Sequence, residues 1–155
     1  MKKIKYLLIV LLGVVFMTGC GSNNKTLKCT NKIETDELKY SSTYEIVYDS
    51  DKKVKEVNTK EVITSEDESY LEEAKKSSEQ LYEENNKEYG GYDYKITING
   101  NTLTSKCTID YSKMNVKKYV KDNNLTNFAD SNDNVLLSSV IEIYETLGAE
   151  CEEIK

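Results

Sequence analysis

The groups of this 155-residue chain that could do chemistry are four cysteines (Cys20, Cys29, Cys107 and Cys151), 27 Asp and Glu residues and 12 tyrosines. Histidine and arginine are both absent, so every one of the 21 basic residues is a lysine. Without an imidazole there is no Ser-His-Asp triad, no Cys-His pair, no HExxH zinc site and no general base titrating near neutral pH. The same absences leave little to hold a cysteine as its thiolate, which disfavours a nucleophilic Cys. No CxxC spacing occurs, so neither a redox motif nor a zinc knuckle is supported. With no guanidinium fork and a formal charge of −6, the chain is ill suited to nucleic acid.

Three sets of side chains remain. Asp130-Ser131-Asn132-Asp133-Asn134 offers oxygens at alternate positions, as the start of an EF-hand loop does, which makes Asp130, Asn132, Asn134 and Glu142 a weak Ca²⁺ candidate. Val135 stands where that loop needs Gly, and Ile141 where the bidentate Glu belongs, with Glu142 one place late. A solvated loop is therefore the expectation. The clusters Glu66-Asp67-Glu68, Glu72-Glu73 and Glu83-Glu84 could supply the two carboxylates of a glycoside hydrolase, but they are interleaved with Lys as a solvated helix face is. Asp110 falls on the polar phase of a strand, where a surface or strand-end turn role is expected. Tyr44, Tyr48, Tyr92 and Tyr94 recur on strand faces. Tyrosine suits recognition surfaces, yet with no Trp and one Phe after residue 19 it must also serve as the core aromatic.

The N-terminus supplies an address. Lys2, Lys3 and Lys5 precede an uncharged, largely aliphatic run of 12 residues, Tyr6 to Met17. A membrane helix needs roughly 20 residues, so the run fits the apolar region of a signal peptide. It leads into Met17-Thr18-Gly19-Cys20, which resembles a bacterial lipobox with Met in place of the usual Leu. That resemblance implies cleavage before Cys20 and diacylglycerol on its thiol, and two acyl chains anchor stably where one does not. The expected organisation is a signal peptide over 1–19, a lipidated Cys20 with a polar linker to 26, and one domain over 27–155. Losing residues 1–19 removes three lysines and no acid, so the formal charge moves from −6 to −9.

With Cys20 assigned to lipid, Cys29, Cys107 and Cys151 remain, an odd number in an oxidising compartment. One disulfide and one buried thiol is the simplest arrangement. Cys107 is in phase with Leu103 and Ile109 on a strand and reads as the buried thiol. Cys29–Cys151 is the preferred pair, since its long loop is worth about 4.7 kcal/mol by chain entropy, with Cys107–Cys151 as the alternative.

Period-two alternation places strands over Leu27–Ile33, Tyr40–Tyr48 and Val54–Ile63. A helix over Glu66–Tyr89 is expected to start in a Ser65/Glu68 capping box, to bury Leu71, Ala74, Ser78, Leu81 and Tyr82, and to stop at Gly90. Strands over 92–98 and 102–111 flank Asn99-Gly100, read as a type I′ turn. A short helix holds Val116, Tyr119 and Val120; another, capped by Ser138 or Ser139, holds Val140, Ile143, Tyr144 and Leu147. The order β-β-β-α-β-β-α-α implies an α+β domain, an antiparallel sheet of about five strands with helices on one face.

These pieces together resemble the YehR-type bacterial lipoproteins, a family of uncharacterised function. The carriers are Cys20, the long helix 66–89, the strand into Ile109-Asp110-Tyr111-Ser112-Lys113-Met114, and the closing Val140 to Cys151. The resemblance implies a small α+β lipoprotein and supplies no catalytic residue. No cofactor is expected. The partners expected are membrane lipid through acylated Cys20 and an envelope protein or small ligand, at the outer face of the bacterial cytoplasmic membrane. A non-enzymatic binding domain is the leading reading and a small carboxylate hydrolase the alternative.

Overall fold

The computed structural model describes residues 24–154; the signal segment and Cys20 lie outside the described residues. Six strands and three helices follow in the order β1 Lys25–Glu34, β2 Leu38–Tyr48, β3 Val54–Ser65, α1 Glu68–Tyr89, β4 Tyr92–Asn99, β5 Thr102–Asp110, α2 Val116–Asp122, α3 Leu137–Thr146 and β6 Glu150–Glu153. All strands join one antiparallel sheet in the spatial order β4-β5-β3-β2-β1-β6. The expected α+β architecture is therefore present, with one strand more.

Strand alternation sorts the side chains onto two unlike faces. The inner face carries Leu27 and Cys29 of β1, Tyr44, Ile46 and Tyr48 of β2, Val57 of β3, and Leu103 and Cys107 of β5, all buried. A register shift opposite Val47 and Tyr48 inserts an extra residue in β3, so Val54 and Val57, three apart, are both buried. Helix α1 lies across β4, β5 and β3, and Tyr144 of α3 stacks on Tyr44 of β2 with ring centroids 4.0 Å apart. The outer face has no helix against it among the described residues and is rich in Thr, Lys and Glu.

Local capping differs from expectation at three places. The N-cap of α1 is Asp67, whose carboxylate accepts the Tyr70 N–H; Ser65, three residues before the helix starts, instead accepts the Asp67 N–H. The β4–β5 turn is centred on Gly100-Asn101 rather than Asn99-Gly100, because Asn99 pairs with Thr102. Only Gly100 takes a positive φ, +57°, which is the glycine-first pattern of a II′ turn. Helix α3 starts at Leu137 with no side-chain cap; the Leu137 N–H donates to the Lys52 carbonyl, and Ser139 Oγ donates to Asn127 O. The helix thus begins one or two residues before Ser138 or Ser139 could cap it, and the N–H groups of Ser139 and Val140 both donate to the Leu136 carbonyl.

Strand β6 carries no alternating apolar pattern, and its sequence, Glu-Cys-Glu-Glu, gives no strand signal. It is held by β1, with Cys151 directly opposite Cys29 and joined to it as a disulfide. Cys107 is the buried free thiol. Tyrosine is indeed a core aromatic: Tyr48 and Tyr44 are buried, while Tyr92 and Tyr94 lie half-buried against Tyr82 of α1. Leu81, expected on the buried stripe of α1, is 55% exposed.

Candidate functional site

Register brings four polar side chains into one row across the inner face. Asn31 of β1 faces Ser42 of β2, Ser42 faces Glu61 of β3, and Glu61 faces Ser105 of β5; Ile96 of β4 completes the line. The next inward row toward one end of the sheet is Ile33, Tyr40, Ile63, Leu103 and Ile98. Toward the other it is Cys29, Tyr44, Thr59, Cys107 and Tyr94. A polar line thus crosses a largely apolar surface.

The geometry of the row is unusual for a core. Ser42 and Ser105 are each only 2% exposed, and neither hydroxyl has a hydrogen-bond partner. Leaving such a group unpaired costs about 1–3 kcal/mol. Between them, at the roughly 4.8 Å spacing of adjacent strands, the half-buried Glu61 accepts a hydrogen bond from the Tyr40 hydroxyl at 2.9 Å. Among the described residues no lysine pairs with Glu61. Asn31 Nδ2 donates to the Leu147 carbonyl at 2.9 Å, tying the row to the end of α3.

Burial dominates the electrostatics around the row, and Glu61 adds to it at three neighbouring groups. Burial first, then the neighbouring Tyr44 and the Glu61 carboxylate, push the Tyr40 phenol well above its usual range, with Ser42 opposing. Burial pushes the Tyr82 phenol up to about 12, Ser105 and Thr59 opposing and Glu61 adding. Ser42 thus lies near the Tyr40 hydroxyl and Ser105 near that of Tyr82, though neither serine completes a hydrogen bond. The Cys107 thiol is pushed up to about 12, mainly by burial and then by Asp93 and Glu61. Raised phenols and a raised thiol stay protonated at neutral pH. They are hydrogen-bonding groups here, not nucleophiles.

The residues singled out from sequence lie elsewhere. Asp130 is consumed by its own loop: Oδ1 accepts the N–H groups of Asn132 and Asn134, and Oδ2 meets Lys53 Nζ at 2.8 Å. The Lys53 contact, first, and the Asn134 N–H hold its carboxyl well below the usual range. Asn134 Nδ2 turns a donor, not an oxygen, toward Asp130, and Glu142 is exposed on α3. Among the described residues no three Asp, Glu or Cys side chains stand together as a metal site. Asp110 is a strand-end turn acceptor for Ser112, with Lys113 at 2.8 Å.

The acids of α1 are solvated. Glu66, Asp67, Glu68, Glu72, Glu73, Glu83 and Glu84 are all exposed. Asp36, Glu37, Glu66 and Asp67 line a depression of about 590 Å³ with Tyr70, but Asp67 is the helix cap, and its bonds to Ser69 and then Tyr70 lower its pKa. General-acid chemistry needs the opposite shift. On the outer face a second open depression, of about 660 Å³, is lined by Glu45, Asn58, Lys60, Asp93, Lys95 and Lys106 among others. Lys60, Lys106 and Lys95 are there directly opposite one another on β3, β5 and β4, and all three are exposed.

Sequence reasoning passed over the polar row, although a signal was present. Ser42 sits between Tyr40 and Tyr44, Glu61 between Thr59 and Ile63, and Ser105 between Leu103 and Cys107, each on the inward phase of its strand. A polar residue in an apolar phase marks such a site, but only register shows that three of them are neighbours.

No family model matches the chain, and no curated protein does. Two solved structures are similar to it. The NMR structure of the E. coli YehR protein matches at a TM-score of 0.56 and 18% identity, over 87% of this chain and 95% of that one. The NMR structure of a protein from Streptococcus pneumoniae TIGR4 matches at a TM-score of 0.48 and 19% identity, over 98% of each chain. The chain thus has a YehR-like fold, an antiparallel sheet with its helices on one side.

Proposed function

We propose that this chain is a bacterial envelope lipoprotein, a binding domain tethered through acylated Cys20 to the outer face of the cytoplasmic membrane. We assign its binding role to the polar row, whose partly exposed members are Asn31 and Glu61, and assign it no catalytic step of its own. The observation that carries this reading is the pair of buried, unpartnered hydroxyls beside Glu61. A fold that spends stability on unused hydrogen-bonding groups has them available for something else. The signal-like N-terminus supports the address, and the Cys29–Cys151 disulfide agrees with it because such bonds persist outside the reducing cytoplasm. The acids that could have served a hydrolase are exposed on α1 and none belongs to the row.

Two measurements test the two halves. Ser42→Ala and Ser105→Ala each remove an orphaned hydroxyl, so each is expected to raise the free energy of unfolding by about 1 kcal/mol in urea titrations. A loss of similar size would mean that the hydroxyls are bonded within the fold, and the binding reading would fall. Intact mass of protein taken from the membranes of its host is expected to show a chain beginning at diacylglyceryl-Cys20. Alkylation under denaturing conditions should find one thiol before reduction and three after. A chain that keeps residues 1–19, with all thiols free, would overturn the address.

A further inference from the structure

We infer that the depression between α3 and the loop that precedes it docks a basic segment of a partner protein. The segment seats apolar side chains among Leu125, Phe128, Ile143 and Leu147 and sets a lysine or arginine against Glu142. This surface is separate from the polar row and does not depend on how that row is read. The depression holds about 400 Å³, within the range of roughly 300–1,000 Å³ usual for binding pockets. One wall is α3. Ile143 and Leu147, the C-cap residue one turn further on, are 38% and 59% exposed, so two large exposed apolar side chains border one hollow. The other wall is Leu125 with Phe128, which is buried against Tyr111 and Tyr119. That wall is pinned in place. The Leu125 N–H donates to the Val120 carbonyl at 3.0 Å, the Leu136 N–H to the Phe128 carbonyl at 2.9 Å, and Ser139 Oγ to the Asn127 carbonyl at 2.7 Å. The hollow is preformed, so filling it costs little ordering of the domain.

Charge selects the occupant. Glu142 lines the depression and is exposed, and among the described residues it has no ion-pair partner. No lysine lines the hollow. Helix α3 also lacks a basic residue in its last turn, where the carbonyl ends of its peptide dipoles collect partial negative charge. Glu145 stands in that turn, three residues from Glu142, and adds to the same potential. A helix end of this kind is ordinarily matched by Lys or Arg, and here a partner has to bring the cation. A second copy of the chain is a poor occupant. It would set its own Glu142 beside this one and carries the same net charge of −6, or −9 without residues 1–19. An anionic bilayer surface is repelled by the same two carboxylates. An apolar hollow with a negative rim therefore fits a basic, apolar stretch of polypeptide, with the apolar anchors giving affinity and the charge giving selectivity.

The test is a fluorescence-anisotropy titration of the full chain, held in phosphatidylcholine nanodiscs because a detergent would itself compete for an apolar hollow. The probe is the peptide acetyl-Lys-Leu-Lys-Lys-Leu-Leu-Lys-amide carrying an uncharged dye, with empty nanodiscs as the background. It is expected to bind with a dissociation constant on the order of 100 μM. Peptides with Glu for every Lys, or Ser for every Leu, should bind about tenfold more weakly or not at all. The Ile143→Ser/Leu147→Ser variant should lose about tenfold in affinity, and both positions are exposed, so the fold is kept. Leu81→Ser, an equally exposed position on α1 outside the depression, should change nothing. Glu142→Gln is expected to weaken binding by about threefold to fivefold at low salt and to flatten its salt dependence. If the Lys and Glu peptides bind alike, the hollow takes any apolar group and the basic partner falls. Binding that survives Ile143→Ser/Leu147→Ser, or that equals the empty-disc background, overturns the site. Sedimentation showing a dimer that this double variant returns to monomer would seat a second copy there instead and overturn the proposal as well. None of these outcomes bears on the stability change in the serine variants, which tests the polar row alone.

Discussion

The two faces of the sheet are made by the same strands in the same registers, yet each handles its costly row differently. Inside, Ser42, Glu61 and Ser105 interrupt an apolar surface and leave two hydroxyls without partners. Outside, Lys60, Lys106 and Lys95 set three like charges side by side on a polar surface. Water and salt screen the lysines, so their repulsion amounts to tenths of a kcal/mol. No solvent reaches the serines, and each unpaired hydroxyl costs several times more. The inner row is therefore the one whose retention calls for a functional reason. The outer row is within what any solvated sheet tolerates.

The largest effect should come from releasing the inner face at its edge. Replacing Cys29 and Cys151 together by Ser removes the tie between β1 and β6 and is expected to cost about 4 kcal/mol in urea unfolding. Matched truncations sharpen the contrast between the faces. Ile46→Ala on the inner face should cost about 3 kcal/mol, whereas Val62→Ala, between Ser41 and Thr104 on the outer face, should cost about 0.5 kcal/mol. Equal losses would break the assignment of inside and outside. The smallest effect is Lys106→Glu, which turns two repulsions into two attractions and should stabilise by about 0.5 kcal/mol at low salt. That gain should fade as salt is raised; a gain that persists would mean that the lysine row is shielded from solvent.

Most of the framework was legible from residues. Alternation in Tyr40–Tyr48 and Val54–Ile63, and the Gly90 stop after the long helix, placed five strands and three helices because period and breaker residues act locally. The Cys29–Cys151 pair was legible as a preference. Strand β6 was not, since four residues rich in Glu have no pattern of their own and become a strand only by pairing with β1. The caps differ from expectation because both helices start at other residues: Asp67 caps α1 through the Tyr70 N–H, and α3 already begins at Leu137, whose N–H the Lys52 carbonyl accepts.

The candidate site divides along the same line. Composition and contacts a few residues apart account for the charge, the missing imidazole and guanidinium, the cysteine count, the signal-like N-terminus and the two-faced strands. Tertiary structure alone decided that Ser42, Glu61 and Ser105, up to 63 residues apart in the chain, stand side by side. It also decided that Asp130 is spent on Lys53 rather than free for a cation. Register and burial are properties of the assembled sheet, and no single strand carries the information about which partner's side chain will stand beside its own.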